Sequence, residues 1–176
     1  MREKYNFEAE EIPEQEVQHE TVSSTKIRQA IKDGFIQKAN AYLDHYYIVM
    51  GQPERYDYRN NFYEINLAKI PMTEECKLLP ASGLYAISFK TDASDSNGMA
   101  IINSTSEGEK EVLINILDGD PVRYNTDSII FFHKRIHGSV NLSDQATSAR
   151  WLKAARTEIS ELIYRLFLVA SYSLLA

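Results

Sequence analysis

The sequence predicts a mainly β protein with flanking helices, an α+β chain built on a six-stranded antiparallel barrel and closed by a long C-terminal helix. Three observations carry that expectation. Six short runs rich in β-branched and aromatic residues lie between Tyr46 and His137. Turn-forming stretches such as "PAS", "DASDSNG", "SEGE" and "DGDP" separate them. Helical spacing of apolar residues appears only before and after this region.

In chain order, the acidic opening contains one short strand-like run and reads as a lead-in. In "VSSTKIRQAIKDG", Ile27, Ala30 and Ile31 fall at i, i+3 and i+4, and Gly34 supplies a stop. A second short helix places Ile36, Ala39 and Leu43 on one side and ends near His45. The predicted strands are Tyr46–Gly51, Phe62–Leu67, Gly83–Thr91, Gly98–Asn103, Lys110–Asp118 and Asp127–His137. In "EVLINILD" both faces are mostly apolar, which predicts a strand walled in on both sides. From Ser143 or Asp144 the spacing turns helical again, with Leu152, Ala155, Ile159, Leu162 and Leu166 on one stripe. The chain therefore divides into a helical lead-in (1–45), the barrel (46–142) and a C-terminal helix with an apolar tail (143–176).

Composition narrows the function. With 176 residues and 44% hydrophobic content, the chain can bury a proper core. A net charge of −6 argues against a nucleic-acid partner, because phosphate backbones demand a basic face. The single cysteine, Cys76, makes neither an internal disulfide nor a multi-cysteine zinc site. The opening lacks the apolar segment of a signal peptide, so a reducing cytoplasm is the expected compartment. "LFLVASYSLLA" (Leu166–Ala176) is apolar nearly all round but short of the roughly 20 residues of a membrane span. It is expected to be buried against the domain or a protein partner, with a weak membrane-associating tail as the other reading.

The chemistry-bearing motif is "VSSTKIR". Ser23, Ser24 and Thr25 at a helix start offer hydroxyls, free N–H groups and the positive end of the helix dipole. Arg28, one turn in, adds a fork for phosphate oxygens. Ser and Thr are also ordinary helix caps, and the motif alone does not choose between the two readings.

Its surroundings do more. The stretch "FEAEEIPEQEVQHETVSSTKIRQAIKDGFIQKANAYLDHYYIVMG" resembles the junction of the prokaryotic bifunctional riboflavin kinase/FAD synthetases. The resemblance continues through "LLPASGLYAI", "GMAIIN" and "FFHKRIHGSVNLS" to about Leu162. It implies a riboflavin-kinase-like barrel, preceded by the last pieces of an adenylyltransferase domain. Ser23, Ser24, Thr25 and Arg28 would then be a vestigial phosphate site. No His-x-Gly-His stretch is found, so FAD synthesis by this chain alone is not expected, and a fragment of a longer gene product is one reading of the whole.

The resemblance also implies a kinase site using Mg-ATP and riboflavin, with FMN and ADP as products. The family's Gly-Phe-Pro-Thr-Ala-Asn segment aligns with "FYEINL". Phe62 and Asn66 match, Glu64 stands in place of the metal-binding threonine, and Tyr63 in place of the proline. Glu64 and Asn66 are thus the implied nucleotide and Mg²⁺ ligands, although Glu64 itself reads first as an exposed strand position in a site that has lost its purpose. Upstream, Tyr56, Tyr58 and Arg59 replace the phosphate-cradling glycines. Leu113 occupies the position of the family's base, and Glu111, two residues earlier, shares its strand face. Glu111 is therefore either a relocated base or a solvated charge. Tyr46, Tyr47, Tyr56, Tyr58 and Tyr63 either stack on a flavin ring or pack the barrel wall. His133 and His137 are read as ordinary polar positions. A catalytic riboflavin kinase and a non-catalytic flavin- or nucleotide-binding or scaffolding module both remain open on these residues.

Overall fold

The computed structural model describes residues 16–17, 20–56, 67–72, 78–105, 108–138, 150 and 152–162. A two-stranded ribbon, β1 (Glu16–Val17) and β2 (Glu20–Thr21), leads into two helices, α1 (Ser24–Asp33) and α2 (Ile36–Leu43). Then come β3 (Tyr47–Gly51), β4 (Glu54–Arg55), β5 (Ala68–Ile70), β6 (Gly83–Lys90), β7 (Asp95–Ser104), β8 (Lys110–Asp118) and β9 (Ser128–His137). A third helix, α3, covers residues 152–162.

Strands β3 to β9 form one antiparallel sheet in the order β3-β9-β6-β7-β8-β5-β4. The expected barrel of six strands, closed, is corrected on both counts. Among the described residues the sheet has seven strands, and no ladder joins its ends, β3 and β4. Residues 62–66 of the predicted second strand lie outside the described residues, and Leu67 precedes β5. The added strands, β4 and β5, span two and three residues, too few to leave a periodic pattern.

The sheet is nevertheless strongly curled, and chain connectivity demands it. Only Gln52 and Pro53 link β3 to β4, although these are the sheet's opposite ends. Six strand spacings in a flat sheet amount to about 29 Å. Three residue steps span no more than about 10 Å. Gly51 of β3 lies against β5, the strand next to the other end: a Cβ there would stand 2.6 Å from Ile70 Cγ2.

The curl makes two cores. Inside it, Val49, Ile70, Tyr85, Ile87, Phe89, Ile102, Ile114 and Phe132 pack together, with Ile36 of α2 at their margin. Outside it, Leu84, Ala86, Met99, Ile101 and Leu113 meet Leu152, Ala155 and Ile159 of α3. The two-sided burial read from "EVLINILD" follows: Val112 and Ile114 face inward and Leu113 outward. The helix expected to close the barrel thus covers the outside of the sheet.

α1 begins and ends as its sequence indicates. Ser23 is the N-cap, accepting from the Lys26 N–H at 3.3 Å. Gly34 is left-handed at φ 78°, and its N–H bonds back to the carbonyls of Ala30 and Ile31. A side chain at Gly34 would also meet Arg135 and the Tyr85 hydroxyl at about 3 Å.

Two substitutions test these statements by urea unfolding. Leu113→Ala is expected to cost about 2–5 kcal/mol, because it opens a cavity between β8 and α3. Gly34→Ala is expected to cost about 1–2 kcal/mol from the left-handed backbone alone. A cost under half of either range would contradict the packing described.

Candidate functional site

The region expected to hold phosphates begins at the β3–β4 link. The Gln52 side-chain amide donates to Asp127 Oδ1 at 3.0 Å, and the Asn125 N–H donates to the Pro53 carbonyl at 2.8 Å. Arg55 lies 5.9 Å from the centroid of the Tyr124 ring. The link is thus fastened to the loop between β8 and β9, in which Asn125 takes a positive φ of 55°. Tyr56 packs against the outer core. Tyr58, Arg59, Phe62, Tyr63, Glu64 and Asn66 lie outside the described residues. Among the described residues, no three His, Cys, Asp or Glu side chains gather to hold a metal ion.

Leu113 is fully buried in the outer core beneath α3. An ionisable group at that position would sit among hydrocarbon. Glu111 shares its face but lies at the strand's beginning, with its side chain 17% exposed. Lys69 of β5 pairs with Leu113 in the ladder, and its ammonium reaches back to Glu111 Oε2 at 3.8 Å. The neighbouring Lys110 points the other way and donates to the carbonyls of Leu79 and Pro80 at 3.3 and 2.8 Å. Burial lowers the Lys110 pKa from its ordinary value. Lys69 was not legible in the sequence, because β5 gave no strand signal.

Ser23, Ser24 and Thr25 are exposed at the start of α1, and Arg28 is exposed one turn further in. The Ser23 hydroxyl is engaged as the cap, and Lys26 Nζ donates to the Thr21 carbonyl at 2.8 Å. The opposite end of this helix, about 15 Å away, docks on the sheet through Arg135. Arg135 donates to the Asp33 carbonyl at 3.3 Å and to the Ser82 carbonyl at 2.6 Å. Beside it the Tyr85 hydroxyl donates to the Ala81 carbonyl at 2.6 Å. Burial pushes the Tyr85 phenol up to about 12, against the opposing pull of the Arg135 charge. Asn40 ties α2 to the sheet in the same way, donating to the Phe132 carbonyl and accepting from the Tyr47 N–H, both at 2.8 Å. The Tyr47 hydroxyl donates to the Leu78 carbonyl. Tyr47 is therefore wall packing, as one of its two sequence readings had it.

His133 has a more specific place than its sequence suggested. It occupies a bulge of β9, between the pairs Ala86–Lys134 and Ile87–Phe132. Ser88 Oγ donates to Asn97 Oδ1 at 3.0 Å and lies 2.7 Å from His133 Nε2. With the serine proton spent on Asn97, the imidazole donates from Nε2, and Nδ1 carries the lone pair. Nδ1 is buried without a partner among the described residues. Tyr46 stands edge-on to the ring, 4.3 Å between centroids. A nucleophilic serine would need the reverse arrangement, with an acceptor orienting Nδ1–H. The group is a structural relay across β9, β6 and β7.

Comparison with known proteins gives these residues a context. No protein-family model matches the chain. The chain is similar to the bifunctional riboflavin kinase/FMN adenylyltransferase of Listeria monocytogenes. The two are 27% identical over 155 residues, which cover 87% of this chain and 44% of that protein. The match falls on the kinase part, as the resemblance read from the sequence implies. The fold also superposes on a macrolide-efflux protein from Streptococcus pneumoniae with a TM-score of 0.70. Identity there is 25%, over 81% of this chain and 48% of the other. The chain spans less than half the length of either protein. No described helix is long and apolar enough to cross a membrane.

The relay generates a pH dependence. Burial lowers the His133 pKa below its ordinary 6.5, so the native state holds the ring neutral where the unfolded chain protonates. Stability contributed by the neutral ring is whole above pH 6.5 and is lost as pH falls towards the depressed value. Thermal melts between pH 7.5 and 5 are expected to show this decline, and His133→Gln to flatten it. An unchanged slope in the variant would contradict the buried ring.

Proposed function

We propose that this chain is a riboflavin kinase-like protein that transfers the γ-phosphoryl group of ATP to the ribityl hydroxyl of riboflavin, giving FMN and ADP. The observation that carries the reading is the 155-residue match to the bifunctional riboflavin kinase/FMN adenylyltransferase. On this reading Glu111 accepts the hydroxyl proton. Glu111 is the carboxylate that the strand geometry keeps closest to the family's base position, and Lys69 lies beside it. Glu64 and Asn66 would hold the nucleotide's Mg²⁺, and the cytoplasm would supply ATP. The Ser23–Arg28 turn would belong to the adenylyltransferase side of the protein.

One observation favours a second reading, a flavin- or nucleotide-binding module without catalysis. Leu113 seals the base position under α3, and the charge of Glu111 is already opposed by Lys69. The two readings part in one experiment. The purified chain is incubated with riboflavin, ATP and Mg²⁺, and FMN is followed by chromatography beside the Listeria enzyme. Under the first reading FMN accumulates, and Glu111→Gln lowers kcat by about 10²–10⁴. Absence of FMN, with riboflavin fluorescence still quenched by the protein, would replace the first reading by the second.

A further inference from the structure

The outer face of the sheet is unevenly covered. α3 lies over β6, β7 and β8, but the same face continues onto β9 and β3. There Ile48 stands opposite Phe131 and Met50 opposite Ile129. Alternation along each strand turns these four outward, because Val49, Ile130 and Phe132 fill the inner core. Met50 is 53% exposed and the adjoining Tyr46 43%. Beside them lies a depression of about 600 Å³, lined by Tyr46, Ile48 and Phe131 together with Asn40, Asp44 and His45. Contiguous apolar surface of this kind marks a contact site.

The chain itself carries a matching segment. Residues 163–176 read "IYRLFLVASYSLLA", with Arg165 their only charged side chain. α3 itself reaches β9: Lys134 bonds Glu158 at 3.2 Å, one turn before Leu162, the last described residue. From Leu162 the segment can reach about 21 Å as a helix or about 46 Å extended. The outer face of β3 begins one strand spacing, about 5 Å, beyond β9.

We propose that residues 163–176 fold back over β9 and β3, seating their apolar side chains on Ile48, Met50, Ile129 and Phe131 and in the depression beside Tyr46. They complete the cover that α3 begins. The docking is intramolecular, and it removes from water two apolar surfaces that each chain carries in equal number. It is independent of the kinase reading.

Methionine methyl NMR on the full chain tests this, since Met50 is one of only four methionines. In a Cys76→Ser background, Ala170→Cys is labelled with a nitroxide. The Met50 methyl signal is expected to lose most of its intensity and to regain it when the nitroxide is reduced. In a mixture of spin-labelled chain and isotope-labelled chain, Met50 is expected to stay sharp. Intensity loss only in the mixture would mean that a second copy covers the face, and would overturn the proposal. So would a sharp Met50 with the nitroxide at either Ala170→Cys or Leu174→Cys. Equal loss at Met1, Met50, Met72 and Met99 would mean contact without a seat, and would overturn it as well.

Discussion

The two-residue link between β3 and β4 is the constraint on which the rest of this structure depends. It joins strands at opposite ends of a seven-stranded sheet, so the sheet must curl until those ends meet. The curl then creates an inside, which large apolar side chains from nearly every strand fill, and an outside that needs its own cover. The curl packs Gly51 of β3 against Ile70 of β5, and among the described residues the end strands share no ladder. The short strand β4 stands where the loop of the expected phosphate site begins.

A second set of contacts fixes the helical lead-in to this sheet. Arg135 donates to backbone carbonyls at the end of α1 and just before β6, and Asn40 donates to the Phe132 carbonyl within β9. Arg135 joins the end of α1 to the start of β6, and Asn40 joins α2 to β3 and β9. Because these bonds go to the main chain, they depend on the fold more than on the identity of neighbouring side chains. They hold the first turn of α1, with Ser23, Ser24, Thr25 and Arg28, at the far end of the helix, in solvent. The phosphate-like motif and the barrel-like sheet are thus two separate surfaces.

The carboxylate geometry follows from strand alternation. Glu111 and Leu113 share a face, so whatever covers one constrains the other. α3 covers Leu113 completely and leaves Glu111 at the edge of its shadow, where Lys69 can approach. A carboxylate at position 113 would be shut away from solvent by the same helix that stabilises the sheet. At position 111 a carboxylate keeps both partial solvent access and a cationic neighbour.

The sequence by itself determined the long elements, because their signals are local. Both lead-in helices, their Ser23 and Gly34 boundaries, four long strands and the stripe Leu152, Ala155, Ile159 and Leu162 follow from spacing and turn chemistry within a dozen residues. The double burial of β8 was equally legible, since both of its faces are apolar. Only the tertiary structure decided the number of strands, the open seam, the side of the sheet on which α3 lies, and the partners of Glu111 and His133. These depend on residues far apart in the chain, such as Lys69 with Glu111 or Ser88 with His133. A two-residue strand carries no period. The curl arises from connectivity and sheet order, a relation among strands that no single stretch of sequence contains.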